Sequence, residues 1–459
     1  MFAKIQIAQR PLSAPRSTFS TVPDTDQEFA PADQPEALLS LNKPVPAVKG
    51  FFPLNEPDVG SAYTNTDVFT QNKELPALFQ PLTIKDVVFK NRIWVSPMCQ
   101  YSSDHDGHAT DWHLVHLGGF ASRGVGAIIV EATAVVPEGR ISPEDMGIWA
   151  NSHIEPLKRI VNFAHAQGTV IGIQLAHAGR KASTYAPWVH ANAAGTHRSD
   201  RYVAERKENG WPDDVYGPTS VPFSDLHPLP KPMSGSDLIH VEDAFVSAVD
   251  RCKKVGFDFI EVHAAHGYLL HEFLSPLSNS RTDAYGGSLS NRMRYPLRLV
   301  KRLREAWADK PLFVRISAAD WADVPEKGDD GEWKQWGIEQ SKVFVSELKS
   351  LGVDLIDTSS GGNWVRQNIP LKHGYQVPFA AELKAAHPDI LIGAVGLLTD
   401  PAETESYLNE GKSDVVLLAR ELLRNPHWVL TAARALGVAV KPAVQYERAW
   451  ADMLAPVGK

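Results

Sequence analysis

Phe257-Asp-Phe-Ile-Glu-Val-His-Ala-Ala-His-Gly-Tyr268 is the stretch from which the fold can be read. Its first half is nearly continuously apolar, the pattern of a strand covered on both faces. Its second half places two imidazoles, His263 and His266, and the phenol of Tyr268 where that strand opens into a loop. Barrel enzymes build their active sites at one rim, on the ends of their strands. On this pattern alone the two histidines could ligate a metal, form an anion hole, or be satisfied core residues.

The same texture recurs on both sides. Apolar runs fall at 93–98, 127–133, 170–177, 259–265, 312–318, 355–361, 391–396 and 415–420. Between them, amphipathic stretches predict helices at 113–123, 155–167, 240–255, 291–308, 336–351, 376–386 and 401–410. Asp400-Pro401 reads as an N-cap with proline at the first helical position. Gly168, Gly256, Gly352 and Gly411 stand shortly before strands, where helices end. Eight strands alternating with helices predict an α/β fold, a single (β/α)8 TIM barrel. The rival, a doubly wound open sheet, calls for a Gly-x-Gly-x-x-Gly turn after a strand, and the sequence has none.

The barrel is expected over 75–450. Residues 1–74, rich in Pro, Ser, Thr and Asp, read as an extended or disordered leader, and 451–459 as a C-terminal tail. Two segments break the rhythm, a long insertion at 182–236 and a shorter acidic one at 320–334. Both follow strands and are expected over the catalytic rim, shaping access.

A net charge of −8 argues against a nucleic-acid partner. No apolar run approaches the ~18 residues of a membrane span, so no membrane association is expected. The two cysteines, Cys99 and Cys252, cannot form a disulfide framework and suit a reducing compartment, which makes a cytoplasmic location the expectation. Residues 1–23 carry Lys4, Arg10 and Arg16 and no acid, a composition compatible with a mitochondrial transit peptide. Pro11, Pro15 and Pro23 weaken any helix there and make a plain tail the simpler reading.

Chemistry narrows the choice at the rim. A divalent metal wants three or four converging ligands, and beyond His263 and His266 the nearest carboxylate, Asp320, stands alone. No metal is expected. Two imidazoles can instead donate to an oxygen that gains charge, while Tyr268 supplies a proton to the adjacent carbon. That set suits reduction of an electron-poor alkene. No side chain donates hydride, so a flavin or nicotinamide is required.

The other strand ends fit flavin mononucleotide. Gly396 on the seventh strand and Ala419-Arg420 on the eighth occupy the usual phosphate position of such barrels. Gln174 can donate and accept along a pyrimidine edge. Arg315, inside the fifth strand, needs either an anionic flavin edge or a carboxylate partner. Cys99 reads most simply as a small buried hydrophobe, and Trp112 and His113 as packing residues.

Six motifs carry a family resemblance across about 75–450: LFQPLTIKDVVFKNRIWVSPMCQYS (78–102), IGIQLAHAGRKAS (171–183), EVHAAHGYLLHEFLSPLSNSRTDAYGGSLSNR (261–292), FVRIS (313–317), VDLIDTSSGG (353–362) and QYERAW (445–450). Together they resemble the Old Yellow Enzyme family of FMN-dependent ene-reductases, in the subclass of the bacterial thermostable-type members with fungal relatives. The resemblance implies that His263 and His266 bind a carbonyl oxygen and that Tyr268 acts as acid and orients the ligand. It implies a flavin-tuning role for Cys99 and a place in the substrate pocket for Tyr101. It puts Pro97, Met98, Ala132, Gln174, Arg315, Gly396, Ala419 and Arg420 against the flavin. Alanine at 419 departs from the glycine of many relatives.

Arg448 matches an arginine that reaches into a neighbouring subunit's site, implying a homodimer or larger homo-oligomer. The implied activity is reduction of the activated C=C bond of α,β-unsaturated carbonyl compounds, with FMN as cofactor and NADPH or NADH as electron donor. A dienoyl-reductase type would need a cysteine cluster that two cysteines cannot supply. The reading from another class is a catalytically silent flavin-binding sensor or scaffold.

Overall fold

Eight parallel strands, each followed by a helix, close into a barrel whose order around the ring is that of the sequence. The computed structural model describes residues 55–190 and 202–455. The strands are β1 (Ile93–Val95), β2 (Ala127–Ala134), β3 (Val170–Ala176), β4 (Phe259–Ala264), β5 (Leu312–Ser317), β6 (Leu355–Ser359), β7 (Leu391–Ala394) and β8 (Val415–Leu418), and β8 pairs with β1. Their helices are α1 (Asp111–Ala121), α2 (Ile154–Ala166), α3 (Gly235–Val255), α4 (Leu289–Ala306), α5 (Ile338–Ser350), α6 (Val377–Ala386), α7 (Pro401–Asn409) and α8 (Trp428–Ala435). This is the expected (β/α)8 barrel.

The strands are apolar throughout because both faces are covered, and β2, β4, β5, β6 and β8 are buried at every position. One end of the interior is filled by Trp94, Phe259, Phe313, Leu355 and Leu417, joined by Ile84 and Phe89 from the hairpin Leu82–Ile84/Val87–Phe89. The Phe259 and Phe313 rings lie 4.7 Å apart. A side chain at Gly172 would come within 2.3 Å of the Phe259 ring, so this position has room only for glycine. Truncating Phe259 in so dense a plug would cost about 3–5 kcal/mol. The polar chemistry is left to the opposite end.

The stop signals act as expected. Gly168, Gly256, Gly352 and Gly411 all have positive φ, and the Asp400 side chain accepts from the Glu403 N–H at 2.8 Å. Other boundaries move. α3 starts at Gly235, before the predicted 240, because Ser234 and Asp237 form a capping box. β1 ends at Val95 and β8 at Leu418, so the residues following them belong to rim segments. The sequence pattern does not predict α8.

The leader boundary at residue 74 is corrected as well. Residues 55–74 pack on the barrel: Val59 is fully buried, Gly60 N–H donates to Lys441 O at 2.7 Å, and Asn72 brackets the Ala439 backbone at 2.7 and 2.8 Å. The expected tail also begins as the helical turn Ala451–Leu454, with Met453 buried. The basic segment 1–23 lies outside the described residues. Among the described residues, no helix is long and apolar enough to cross a membrane.

Candidate active site

Period two along β4 puts Phe259, Glu261 and His263 on one face, from the plugged end to the open one. In register, Gln174 of β3 lies opposite Glu261, His263 lies opposite Arg315 of β5, and Arg315 lies opposite Asp357 of β6. Gln174 Nε2 donates to Glu261 Oε1 at 2.7 Å, and Arg315 Nε stands 3.2 Å from Asp357 Oδ2. The carboxylate partner that Arg315 required is therefore present, on a residue that the sequence pattern does not single out. It does not complete the layer. Glu261 Oε2, Arg315 Nε and both Asp357 oxygens lack a hydrogen bond. Burial, reinforced by Asp357, pushes the Glu261 carboxyl up to about 8, against Arg315 and Gln174. Burial likewise raises Asp357 against the pull of Arg315. Unmet donors and acceptors in one buried layer suit a polar, planar group laid across the barrel mouth.

Above that layer the chain turns sharply. His266 (φ +60) and Gly267 (φ +71) are consecutive left-handed residues. The His263 ring centroid lies 5.2 Å from that of His266 and 5.1 Å from that of Tyr268. His263 is 4 % exposed and its Nδ1 is buried without a partner, while His266 Nε2 sits 2.7 Å from Ser359 Oγ. Burial first, then the nearby Arg315, pull both imidazoles well below the usual range, so both are neutral. Burial and the charges at Cys99 and Asp145 push the Tyr268 phenol well above its usual range, which keeps its proton on.

Pro97, Met98, Cys99 and Tyr101 lie in the partly buried segment after β1. Burial, then Asp145 and Glu131, push the Cys99 thiol well above its ordinary range. Tyr101 (φ +49) packs edge-on against Trp188 of the insertion at 5.5 Å. The segment is pinned by Glu131, whose Oε1 accepts from Gln100 N–H at 2.9 Å. Ala132 sits at the irregularity where the β2–β3 register shifts. Ala132, Asp145, His263 and Tyr268 line one small pocket.

At the ends of β7 and β8, Arg315, Gly396, Ala419 and Arg420 line a second cavity. Gly396 (φ +128) and Leu397 (φ +55) make a bend there that side chains resist. Three arginines line this cavity, Arg315, Arg420 and Arg424, the last paired with Glu421, and guanidiniums so placed suit a dianion.

All the candidates except Arg448 therefore gather at this open end. Arg448 is exposed on the turn Glu447–Trp450 and lines neither cavity. Five buried acids, Glu131, Asp145, Glu261, Glu272 and Asp357, were missed. The signal was available for three of them, since an acid inside an apolar strand run must face something polar. Lys181 Nζ, 4.3 Å from the Phe223 ring and 5.2 Å from that of Tyr268, brings the insertion to the rim, and residues 191–201 of that insertion lie outside the described part. His177 is satisfied locally, its Nδ1 accepting from Gly179 N–H at 3.0 Å.

Comparison with known proteins gives the family. Residues 77–437 match the NADH:flavin oxidoreductase / NADH oxidase family. The chain is 44% identical over 383 residues to an NADH:flavin oxidoreductase of Gibberella zeae, covering 82% of this chain and 90% of that one. It is 44% identical over 374 residues to an NADPH dehydrogenase of Geobacillus thermodenitrificans, covering 81% and 98%. Morphinone reductase is similar in fold, with a TM-score of 0.61 at 23% identity over 80% of this chain and 91% of that one. A 2-naphthoyl-CoA reductase is similar at a TM-score of 0.66 and 22% identity over 83% of this chain, which spans 56% of that longer protein. The chain belongs to the NADH:flavin oxidoreductase / NADH oxidase family, that of the Old Yellow Enzymes its motifs resembled, and is an FMN-dependent oxidoreductase.

Proposed function

We propose that the protein uses NADPH, or NADH, to reduce the activated C=C bond of α,β-unsaturated carbonyl compounds. The observation that carries this reading is the buried, neutral His263 with its unpartnered Nδ1, set between His266 and Tyr268. When bound, FMN would supply the hydride chemistry that no side chain can.

The protein's residues do the rest. Arg420 and the backbone around Gly396 and Ala419 would hold the phosphate of FMN. Gln174, Arg315, Pro97, Met98, Cys99 and Ala132 would hold its ring. His263 and His266 hold the carbonyl oxygen of the substrate and withdraw electron density from the alkene. Neutral imidazoles suit this task, because they donate to the oxygen without adding a buried charge beside Arg315. Tyr268 then delivers a proton to the α-carbon from a phenol that burial keeps protonated. Tyr101 and the insertion close the pocket around the substrate.

A second copy of the chain belongs to this proposal. Arg448 is exposed, and the nearby segments carry Trp112, Val115 and Leu423, which are 57%, 72% and 49% exposed. A homodimer covering that apolar surface brings Arg448 to the partner's pocket. The direct test of the activity is steady oxidation of NADPH by the purified yellow protein on addition of cyclohexenone. A protein that binds FMN yet leaves cyclohexenone unreduced would instead be the silent flavin binder.

A further inference from the structure

Behind the catalytic turn lies a buried histidine–carboxylate pair that the reaction itself does not use. His271, on the helical turn Leu269–Leu274, and Asp320, just past β5, are both fully buried. His271 Nε2 lies 3.1 Å from Asp320 Oδ1 in a bent contact. On the other side of the ring, His271 Nδ1 accepts from the Gly267 N–H at 3.0 Å. Gly267 is the residue between His266 and Tyr268.

These contacts assign the protons. Nδ1 faces a donor, so it carries no hydrogen, and the ring proton is on Nε2, directed toward Asp320. Asp320 is built to remain an anion. Its Oδ2 accepts from Ser275 Oγ at 2.5 Å and from Trp336 N–H at 2.9 Å. Burial pushes this carboxyl up, but the neighbouring His271, with the hydrogen bonds from the Ser275 hydroxyl and the Trp336 N–H, outweighs burial and leaves it below its ordinary range.

The turn needs such support. Two consecutive left-handed residues persist only where their surroundings hold them. His266 N–H donates to Ser317 Oγ at 2.9 Å, and Lys181 Nζ donates to His266 O at 2.8 Å. The Tyr268 N–H donates to Ala265 O at 3.2 Å, and the Gly267 amide between the two donates to His271.

We propose that His271, kept in its Nε2–H form by Asp320, is a positioning residue that sets the directions of His266 and Tyr268 by holding the Gly267 amide. The inference rests on the reading that His263 and His266 bind a carbonyl oxygen, and it extends that reading to two residues outside substrate reach.

Asp320→Asn, in the full-length FMN-loaded protein, separates positioning from mere support. The Trp336 N–H still requires an oxygen at the Oδ2 place, so the new amide NH2 faces His271. The ring must then accept at Nε2 and carry its proton on Nδ1, donor against donor with Gly267. The expected result is a fall of about 10–100-fold in cyclohexenone reduction, the usual range for an orienting partner, with flavin content and melting temperature near those of the native protein. His271→Asn added to Asp320→Asn returns an amide oxygen to Gly267 and recovers most of the rate. An unchanged rate in Asp320→Asn, or no recovery in the double variant, overturns the proposal.

A second measurement needs no variant to fold. In native protein labelled with 15N-histidine, the His271 Nδ1 resonance is expected to be that of an unprotonated ring nitrogen. A protonated Nδ1 contradicts the assignment, whatever the protein reduces. If instead native protein fails to reduce cyclohexenone while Nδ1 is unprotonated, the proposed function fails and the proton assignment stands.

Discussion

His263 and Arg315 stand opposite one another across the ladder between β4 and β5. Burial and this guanidinium together hold the imidazole well below its ordinary value of 6.5. The rate of enone reduction is therefore expected to show no inflection near pH 6.5 assignable to His263 or His266. The sign for stability follows: each ring is neutral in the folded chain but takes a proton when unfolded below pH 6.5, so its stabilising contribution is lost as pH falls below that point. A rate profile from pH 5.5 to 8 checks the first part. An inflection near 6.5 that vanishes in His263→Ala would count against neutral imidazoles.

Glu131 gives the opposite slope. Burial lifts its carboxyl from 4.5 to about 8, so ionising it costs the folded chain increasingly as pH rises from 5 to 8. Glu131→Gln keeps an oxygen for the Gln100 N–H and removes that cost. The variant is expected to gain on the native protein in melting temperature as pH rises across this range, each pKa unit being worth about 1.4 kcal/mol. A difference constant from pH 5 to 8 would show that Glu131 does not titrate there.

Tyr268→Phe preserves the ring beside His263 and removes the proton donor. Loss of a positioned general acid lowers rates by about 10²–10⁴-fold. The alkene half-reaction is expected to slow within that range, and reduction by NADPH to change far less. Stopped-flow absorbance of the flavin resolves the two, and equal slowing of both would remove the acid role.

Arg448 is testable by mixing chains. Arg448→Ala and His263→Ala are each expected to be poor enone reductases. Subunits of the two exchanged together should recover activity, because the site with intact histidines then receives Arg448 from its partner. A mixture no more active than its components, or a monomer by light scattering, contradicts a shared site.

The barrel was legible because covered strands are apolar at nearly every position, and the glycines and the Asp400 cap mark where helices stop. Helix α8 was harder: Trp428–Ala435 is short and lies close behind Pro426. The rim histidines and Tyr268 could be read from one strand end. Asp357 and Glu261 stand out as acids inside apolar runs, but their partners Arg315 and Gln174 do not follow from those runs, and Asp320 stands alone in the sequence because its partner, His271, comes from another loop. Pairings of this kind depend on the register between strands and on loop return, which no local pattern encodes. Arg448 was legible through family resemblance alone, since exposure on a turn has no signature of its own.

The central claim is that two neutral imidazoles hold the oxygen of the alkene substrate. Reduce the flavin of native protein and of His263→Ala/His266→Ala anaerobically, add cyclohexenone, and follow the return of the yellow colour. Losing one such donor costs about 2.7–4 kcal/mol of barrier, so the variant's colour should return at least about 10²-fold more slowly than that of the native protein. Equally fast return in both would contradict the account.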